Sequence, residues 1–291
     1  MDYVVASTSV TDEIHLADGR LKGRFAGGAG IYALCGIKLW CDDVLLVTGV
    51  GADYFAMYGE WFYRNHLSME GLRISDDRTP CTIVQYLNDG ERVETPLLGQ
   101  CHYQRMEMAP EVLKPYFLSA RGIYIFRDCD KNYWQKIITY KKFSRTKVLW
   151  EIRSDAARRP KYSCVKEIAG HMDIFSINIA EARCLTGQHD ICDIIAIFQT
   201  WDVPLIYLRR GSEGAVLITS DQVRSHPPAV HVTVMDTTGA GNSSSAAVLY
   251  GFSEGLSLAE CAEMGNLAAV MCMAQFGVPD NIGIWRSKFQ N

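Results

Sequence analysis

Short apolar segments alternate with predicted helices along most of the chain, and few folds accommodate that order. Segments rich in β-branched and aromatic residues predict buried strands at 44–50, 122–126, 147–152, 173–177 and 204–208. Helices are predicted around them at 54–66, 133–143, 180–185 and 192–201. This alternation predicts an α/β fold with a central, mostly parallel sheet flanked by helices on both faces.

Two regions nearer the N-terminus break this alternation. Residues 82–87 and 91–95 are rich in strand formers and flank Asn88-Asp89-Gly90, a sequence typical of a hairpin loop. Together with a further predicted strand at 20–26, they indicate a small antiparallel β lid formed by about residues 12–26 and 79–102. The alternative is a hairpin that merely decorates the sheet edge. Because no repeat or low-complexity linker interrupts the chain, residues 1–291 are expected to form a single domain.

The C-terminal third contains a glycine-rich turn, Thr238-Gly239-Ala240-Gly241-Asn242. It lies between a predicted strand at 230–234 and a predicted helix that runs from Ser243 to about residue 254. A second helix is predicted at 257–276, where Ser257 and Glu260 have the spacing of a capping box. Outward-pointing N–H groups and the helix dipole at such a turn predict a phosphate or other oxyanion site. The alternative is a tight connection in which the glycines serve backbone geometry alone.

Composition argues against several classes of protein. The net charge of −4 lacks the basic surplus of a nucleic-acid-binding protein. No apolar run reaches the ~18 residues of a membrane helix, and residues 1–10 do not resemble a secretory signal. The 10 cysteines form no C-x-x-C pair, which predicts reduced, mostly buried thiols in a cytoplasmic protein. Histidines and cysteines also lack the spacing of a zinc site.

Residues 236–242 resemble the D-T-x-G-A-G-D signature of the PfkB, or ribokinase-like, family of sugar and nucleoside kinases. Further family motifs are matched at the expected distances by Gly27-Gly28-Ala29 through Val50-Gly51-Ala52-Asp53, Asn178-Ile179-Ala180-Glu181, Arg210-Gly211-Ser212-Glu213-Gly214 and Gly265-Asn266-Leu267-Ala268-Ala269. The resemblance covers essentially the whole chain. It implies a ribokinase-like fold and transfer of the γ-phosphoryl group of ATP to a hydroxyl of a small sugar or nucleoside.

The resemblance also implies roles for individual residues. The N–H groups of Gly239, Ala240 and Gly241 would hold the transferring phosphoryl group. The acceptor would meet Asp12, Gly27, Gly28 and Tyr32. ATP and Mg²⁺ would be bound by Thr238, Asn178, Glu181, Arg210, Gly211, Gly214 and Asn266, with Asn178 and Glu181 orienting the metal through its waters. Asp236 would contact a potassium-type monovalent cation.

Simpler interpretations exist for two of these sites. Asn178 and Glu181 also fit a helix cap followed by a surface glutamate. Asp12 also fits a solvated turn residue.

Two residues depart from the family pattern. Asn242 stands where the family has an aspartate that accepts the proton of the acceptor hydroxyl. A neutral amide cannot act as that base, and general-base catalysis contributes roughly 10²–10⁴-fold. Tyr32 stands where the family usually has a sugar-binding asparagine. Because Ser243-Ser244-Ser245 and Trp150-Glu151-Ile152 differ as well, natural divergence is favoured over a laboratory substitution at position 242.

Three functions remain open from the sequence. The first is an active kinase in which the hydroxyl proton leaves late, to the phosphoryl oxygens, to Asp12 or to Glu13. The second is a catalytically silent relative that binds a nucleotide or sugar as a sensor or partner protein, and the third is a different reaction on the same scaffold. The intact glycine turn and N-x-x-E motif favour the kinase. Exposed strand edges in the lid also predict a homodimer formed through it.

Overall fold

The structure, a computed structural model, describes residues 1–88, 92–228 and 233–290 and contains two β-sheets. The strands are β1 (Tyr3–Ala6), β2 (Val10–His15), β3 (Leu21–Gly27), β4 (Val44–Gly51), β5 (Leu72–Asp76), β6 (Cys81–Tyr86), β7 (Arg92–Pro96), β8 (Gly122–Arg127), β9 (Lys147–Ile152), β10 (Ile174–Asn178), β11 (Leu205–Arg209), β12 (Ala215–Ile218) and β13 (Val223–His226). The α-helices are α1 (Ala29–Lys38), α2 (Tyr54–Arg64), α3 (Gln100–Met106), α4 (Lys131–Lys141), α5 (Tyr162–Ala169), α6 (Ile179–Thr186), α7 (Ile191–Gln199), α8 (Ala240–Ser253), α9 (Leu258–Met273) and α10 (Ile282–Gln290). Short 3₁₀ helices span Pro110–Leu118, Arg159–Lys161 and Gly211–Glu213.

The larger sheet has the strand order β13-β12-β11-β10-β9-β8-β1-β4-β5. Pairing is parallel from β11 to β5 and antiparallel at β12 and β13. Alternate residues of the strands enter two cores: Val5 packs with residues of α1, α8 and α9, whereas Val4 packs with residues of α4 to α7. Burial on both faces explains why these strands are continuously apolar in sequence. The predicted α/β architecture, a mostly parallel sheet between two helical layers, is confirmed.

The five strands predicted from apolar runs correspond to β4, β8, β9, β10 and β11, and the predicted helices to α2, α4, α6, α7, α8 and α9. The capping box of Ser257 and Glu260 at the start of α9 is present. The hydrophobic pattern does not predict β1 or β2 as individual strands, because β1 has only four residues and β2 is largely polar. Most of the strand predicted at 230–234 lies outside the described residues, and Thr233 and Val234 are not in a strand.

The smaller sheet has the order β3-β2-β6-β7. The β2–β3 and β6–β7 pairs are antiparallel, but β2 and β6 run parallel, which differs from the purely antiparallel lid expected from sequence. The parallel pair arises because β2 and β6 are far apart in the chain and are not joined by a hairpin. Residues 89 and 90 of the predicted hairpin loop and residue 91 of the strand predicted after it lie outside the described residues. After β7 the chain enters α3 at Gln100, so the C-terminal end of the segment predicted as lid is helical.

Two expectations drawn from composition can be compared with this fold. Four cysteines are buried, three are half-buried and three are exposed, so the prediction of mostly buried thiols is wrong. The exposed ones, Cys101, Cys184 and Cys192, lie on α3, α6 and α7, whose outer faces meet solvent. Across the described ranges, every helix is too short or too polar to traverse a lipid bilayer.

Candidate active site

The carboxyl ends of the central parallel strands meet the N-terminus of α8. Strand β10 ends at Asn178 and β11 at Arg209, and these two residues are direct partners in the sheet register. Glu151 lies near the end of the neighbouring β9. Parallel strands share one carboxyl edge, and ligands of open α/β sheets bind in the crevice there. The glycine-rich turn is therefore placed opposite three side chains that can hydrogen-bond.

Two glycines of the turn are required by close approach. Gly239 has a φ of 73°, the left-handed region, and a Cβ at this position would lie 1.9 Å from Cγ of Tyr32. A Cβ on Gly241 would lie 2.1 Å from Nη1 of Arg209. No side chain within the described ranges caps the N-terminus of α8. The Ala240 amide donates to the Thr237 carbonyl at 3.4 Å, so among the described residues the first-turn N–H groups of Gly241 and Asn242 remain available to an oxyanion, next to the guanidinium of Arg209.

Two cavities meet at this turn. The α9-side cavity, of about 470 Å³, is lined by residues of α9 and of the β11–β12 turn, including Gly211, Gly214 and Asn266. The lid-side cavity, of about 390 Å³, is lined by residues of the small sheet and α1, including Asp12, Gly28, Tyr32, Thr238 and Asn242. Asn178, Arg209, Thr237 and Gly241 line both. The turn is thus the place where a molecule in one cavity could contact a molecule in the other.

A third cavity adjoins the lid-side cavity. It has a volume of about 450 Å³ and shares with it Thr8, Thr82, Glu94, Tyr103 and Phe126. Its remaining walls include Gln100, Gln104, Tyr133, Arg127 and Arg153. The mixture of aromatic and amide side chains suits a planar polar ring.

A buried polar cluster surrounds Asn242. Glu151 is only 2% exposed; its Oε1 accepts a hydrogen bond from Nδ2 of Asn242 and forms an ion pair with Nη2 of Arg209, both at 3.0 Å. Its Oε2 accepts from the hydroxyl of Tyr124 at 2.8 Å. Burial, together with the charge of Glu151, raises the pKa of Tyr124 well above its ordinary value. No motif marks Tyr124 or Arg209 in the sequence; the one available signal is a polar side chain within or at the end of an apolar strand.

Asp12 lies in β2 and is 4% exposed, so the alternative of a solvated turn residue is wrong. Burial raises the pKa of its carboxyl to about 7, and the charges of Glu94 and Asp236 act in the same direction. The nearby Gly28 backbone acts in the opposite direction and lowers this pKa. A Cβ on Gly27 would lie 1.9 Å from its Oδ2, so the glycine pair makes room for the acid.

Asn178 and Glu181 form a capping box at the start of α6. The Asn178 side chain accepts from the Glu181 amide at 2.9 Å, and Glu181 Oε2 accepts from the Asn178 amide at 3.0 Å. The helix-cap interpretation is therefore confirmed, but Glu181 is not a surface residue: its side chain is 14% exposed and lines the lid-side cavity. Burial raises the pKa of Glu181.

Asp236 and the residues after it contact the small sheet. The Tyr86 hydroxyl of β6 and the Thr238 amide both donate to Oδ1 of Asp236. Arg92 of β7 donates to Oγ1 of Thr237 at 3.0 Å. Asp236 is 2% exposed, and its Oδ2 has no hydrogen-bond partner in the part of the chain that the structure describes. The turn is thus connected to both β6 and β7.

Some of the residues expected to bind the nucleotide line the α9-side cavity, and others do not. Gly211, Gly214 and Asn266 line the α9-side cavity, and the Asn266 amide donates to the Pro227 carbonyl at 2.7 Å. Arg210 instead forms an ion pair with Glu213 and is not among the lining residues. Its neighbour Arg209, the last residue of β11, lines the cavity, whereas Arg210 lies beyond the strand at the start of the Gly211–Glu213 turn.

The described residues contain no cluster of three or more His, Cys, Asp or Glu able to hold a metal ion by themselves. Asn178 lines both cavities and Glu181 lines the lid-side cavity, and both side chains carry oxygen atoms that could face a metal ion beside the turn. Mg²⁺ usually retains several waters and takes one or two carboxylates together with substrate phosphates. Arg209 Nε is buried and has no partner among the described residues, which is consistent with an absent anionic group.

Comparison with known proteins agrees with this arrangement. The family model for pfkB family carbohydrate kinases matches residues 2–282. The chain belongs to this family. A cytidine kinase of Thermococcus kodakarensis is 28% identical over 95% of this chain and 98% of its own length. A fructokinase of Klebsiella pneumoniae is 25% identical over 96% of this chain and 86% of its own length. The relatives of this PfkB-family chain are thus sugar and nucleoside kinases.

Solved structures agree on the fold. An adenosine kinase from Sinorhizobium meliloti superposes with a TM-score of 0.77 at 20% identity, covering 96% of this chain and 95% of its own. A ribokinase-family nucleoside kinase from Methanocaldococcus jannaschii has a TM-score of 0.74 at 20% identity and covers 99% of both chains. At these identities the likeness establishes the ribokinase-like fold alone.

Proposed function

We propose that this PfkB-family protein transfers the γ-phosphoryl group of ATP to a hydroxyl of a small sugar or nucleoside. The observation that carries the proposal is the meeting of two cavities at an uncapped, glycine-rich helix N-terminus with Arg209 beside it. Phosphoryl transfer depends on positioning and charge stabilisation more than on covalent chemistry. Donor and acceptor molecules in these two cavities would meet at that turn.

The N–H groups of Gly239 and Gly241 would bind the transferring phosphoryl oxygens, and that of Ala240 would join them by exchanging its 3.4 Å contact with the Thr237 carbonyl for one with the phosphoryl group. Arg209, which borders Gly241, would add a positive charge at the same place. Fixed donors in a water-poor site stabilise charge strongly because they need no reorganisation during the reaction. The absence of a side chain at Gly241 leaves room for the guanidinium.

The nucleotide would occupy the α9-side cavity beside Gly211, Gly214 and Asn266. Thr238 would reach it from the lid-side cavity, and Arg210 would do so only after leaving its ion pair with Glu213. Asn178 and Glu181 would orient Mg²⁺ through its waters; the ion supplies neutralisation of phosphate charge when bound. We also propose a potassium-type cation near Asp236, supported by the buried and unpartnered Oδ2 of that residue.

The acceptor would occupy the lid-side cavity, where Asp12 and the amide of Gly28 present hydrogen-bonding groups and Gly27 makes space for them. Tyr32 is buried with its ring against Gly239, so it shapes the cavity and does not simply replace an asparagine. The adjoining cavity with Tyr103 and Phe126 offers room for a second ring. This extra volume favours a nucleoside over a single sugar, in line with the cytidine kinase relative.

At the level of the chain, we propose that residues 1–291 act as one cytoplasmic domain whose small sheet forms the lid of the acceptor site. Its strands β3 and β7 are edge strands carrying exposed apolar residues, among them Leu21 and Val93. Such edges support a homodimer formed through the lid. A small molecule is the proposed partner of the site, and the acidic net charge of −4 does not favour nucleic acid.

The deciding experiment is Mg²⁺-dependent ADP release with a panel of cytidine, adenosine, inosine, ribose and fructose. We expect release above background with at least one acceptor. Gly241→Ala should reduce turnover at least tenfold because its methyl group displaces Arg209, whereas Gly59→Ala, with open space around it, should not. A thermal shift with ATP but no turnover with any acceptor would replace the kinase by a silent binding protein. The presence of Asn178 and Glu181 is not evidence of catalysis by itself, because they also form the capping box of α6. Turnover is therefore the measurement that decides the function.

A further inference from the structure

We infer that Glu151 is a positioning residue: its carboxylate lies beside Asn242 and holds the amide in one orientation, with the carbonyl oxygen toward the acceptor hydroxyl. This inference rests on the proposed kinase function.

The hydrogen bonds around Asn242 carry the first step. Its Nδ2 donates to Oε1 of Glu151 at 3.0 Å and to the hydroxyl oxygen of Tyr124 at 3.1 Å. The Tyr124 hydroxyl donates in turn to Oε2 of Glu151 at 2.8 Å. Three residues from three elements, α8, β9 and β8, thus close a ring of hydrogen bonds.

The chemistry of the partners decides which way the amide faces. An ionised carboxylate only accepts hydrogen bonds, so the NH₂ group of Asn242 must face Glu151. Because the amide is planar, its Oδ1 then points away from Glu151 and Tyr124. Oδ1 has no hydrogen bond to any described residue, and Asn242 lines the lid-side cavity. An acceptor hydroxyl in that cavity can therefore donate to Oδ1.

Proton accounting follows from this geometry. The acceptor hydroxyl donates its hydrogen to Oδ1, its oxygen forms the new bond to the γ-phosphorus, and the bond to the bridging oxygen breaks with its electron pair on ADP. The amide of Asn242 cannot take the proton, so the proton passes to an oxygen of the transferred phosphoryl group. A largely dissociative transition state places little demand on early proton removal.

The same geometry explains why an aspartate at position 242 would be unfavourable as long as Glu151 is unchanged. Its carboxylate would face that of Glu151 at the 3.0 Å now spanned by a hydrogen bond. Two carboxylates at this separation cannot both ionise without a large penalty. Arg209 is the cation that contacts Glu151, and it also extends toward Glu181 at 3.9 Å. One guanidinium would have to balance three carboxylates.

The test is a double-mutant cycle of Glu151→Gln, Asn242→Asp and the double variant, measured as kcat and KM with Mg-ATP and the best acceptor of the panel. We expect each single variant to lose at least tenfold in kcat with KM changed less than threefold. The double variant should recover to within about threefold of the wild type, because it again has one carboxylate and one amide. Thermal unfolding of the same four proteins should show the same pattern, with both single variants less stable than the double.

Glu254→Gln is the matched control, because Glu254 likewise accepts from a tyrosine and an arginine, Tyr3 and Arg121, but lies outside the cavities. It should leave kcat unchanged. The inference is overturned if Asn242→Asp alone raises kcat, if Glu151→Gln leaves kcat at the wild-type level, or if the double variant is no better than the worse single one. If no acceptor gives turnover, the kinase proposal fails separately, and the unfolding cycle alone decides whether Glu151 holds Asn242.

Discussion

At position 242 an amide occupies the end of a buried network that already contains a carboxylate and a guanidinium. Glu151 is 2% exposed and is stabilised by Arg209 and Tyr124, so the cluster as a whole is paired although it lies inside the protein. Removing one partner of such a pair costs much more than the pair contributes, because the other charge stays buried. The residues at this end of the sheet are therefore coupled and should be varied together.

Gly239→Ala should damage both folding and function. Its methyl group would lie 1.9 Å from Cγ of the Tyr32 ring, at a φ of 73°. The left-handed backbone costs roughly 1–2 kcal/mol for a residue with a Cβ, and overpacking adds typically about 1–3 kcal/mol. The measurement is the free energy of unfolding in urea, together with ATP binding by calorimetry.

Gly255→Ala isolates the backbone contribution to that loss. Gly255 has nearly the same φ, 76°, but nothing lies within 4 Å of its would-be Cβ. It should lose only the roughly 1–2 kcal/mol of the left-handed conformation and should bind ATP normally. Equal losses for the two variants would show that Tyr32 does not press against the turn.

Asp12 should make stability depend on pH. Its folded-state pKa is raised to about 7 from 3.8, so the folded protein holds this proton more tightly than the unfolded chain. The stabilising contribution is complete below the unfolded value near 3.8 and is lost as pH rises toward 7. A loss on the order of a few kcal/mol is expected over that window. Unfolding free energies measured at several pH values should fall across it, and Asp12→Asn should remove this part of the slope; an identical slope in the variant would contradict the assignment.

Among the secondary-structure elements, α8 depends on neighbours that are remote in sequence. Its first residues are set by Tyr32 of α1 and Arg209 of β11. The segment just before it is tied to the small sheet through Asp236 and Thr237. By contrast, α6 and α9 begin with capping boxes supplied by their own residues. The start of the helix that bears the anion site is thus held by tertiary contacts more than by local sequence.

Tyr86→Phe should weaken the connection between lid and turn. Loss of the hydroxyl leaves the buried carboxylate of Asp236 with fewer donors, and an unmet buried acceptor costs about 1–3 kcal/mol. We expect lower stability and a higher KM for the acceptor, since β6 then holds the turn less firmly. Tyr63→Phe, at an 82% exposed position of α2, should change neither quantity. Unchanged kinetics in Tyr86→Phe would show that the turn keeps its geometry without β6.

For the whole molecule, the site lies where two cores and two sheets come together. The large sheet separates the core shared with α1, α8 and α9 from the core shared with α4 to α7. Its carboxyl edge supplies Glu151, Asn178 and Arg209, and the small sheet supplies Asp12, Tyr86 and Arg92. Because the cavities lie between the large sheet, the small sheet and the helices packed on them, the site exists only in the folded protein.

The sequence by itself determined the parts that depend on neighbouring residues. Apolar runs predicted β4, β8, β9, β10 and β11 because strands buried on both faces need no polar residues. The glycine turn before α8 was visible because close backbone approach restricts the residue type to glycine. Asp12, Asn178 and Glu181 were indicated by their spacing along the chain, which resembles that of the family motifs.

The tertiary structure decided what depends on contacts between distant segments. The parallel pairing of β2 with β6 joins segments separated by more than sixty positions, which no local pattern encodes. The ring of Glu151, Tyr124 and Asn242 joins three elements. The presence of Arg209 at the cavity, and not Arg210, depends on β11 ending at Arg209, after which Arg210 enters the turn and pairs with Glu213. Hydrogen bonding and burial across the chain, which a linear sequence does not display, thus decided the chemistry available at Asn242.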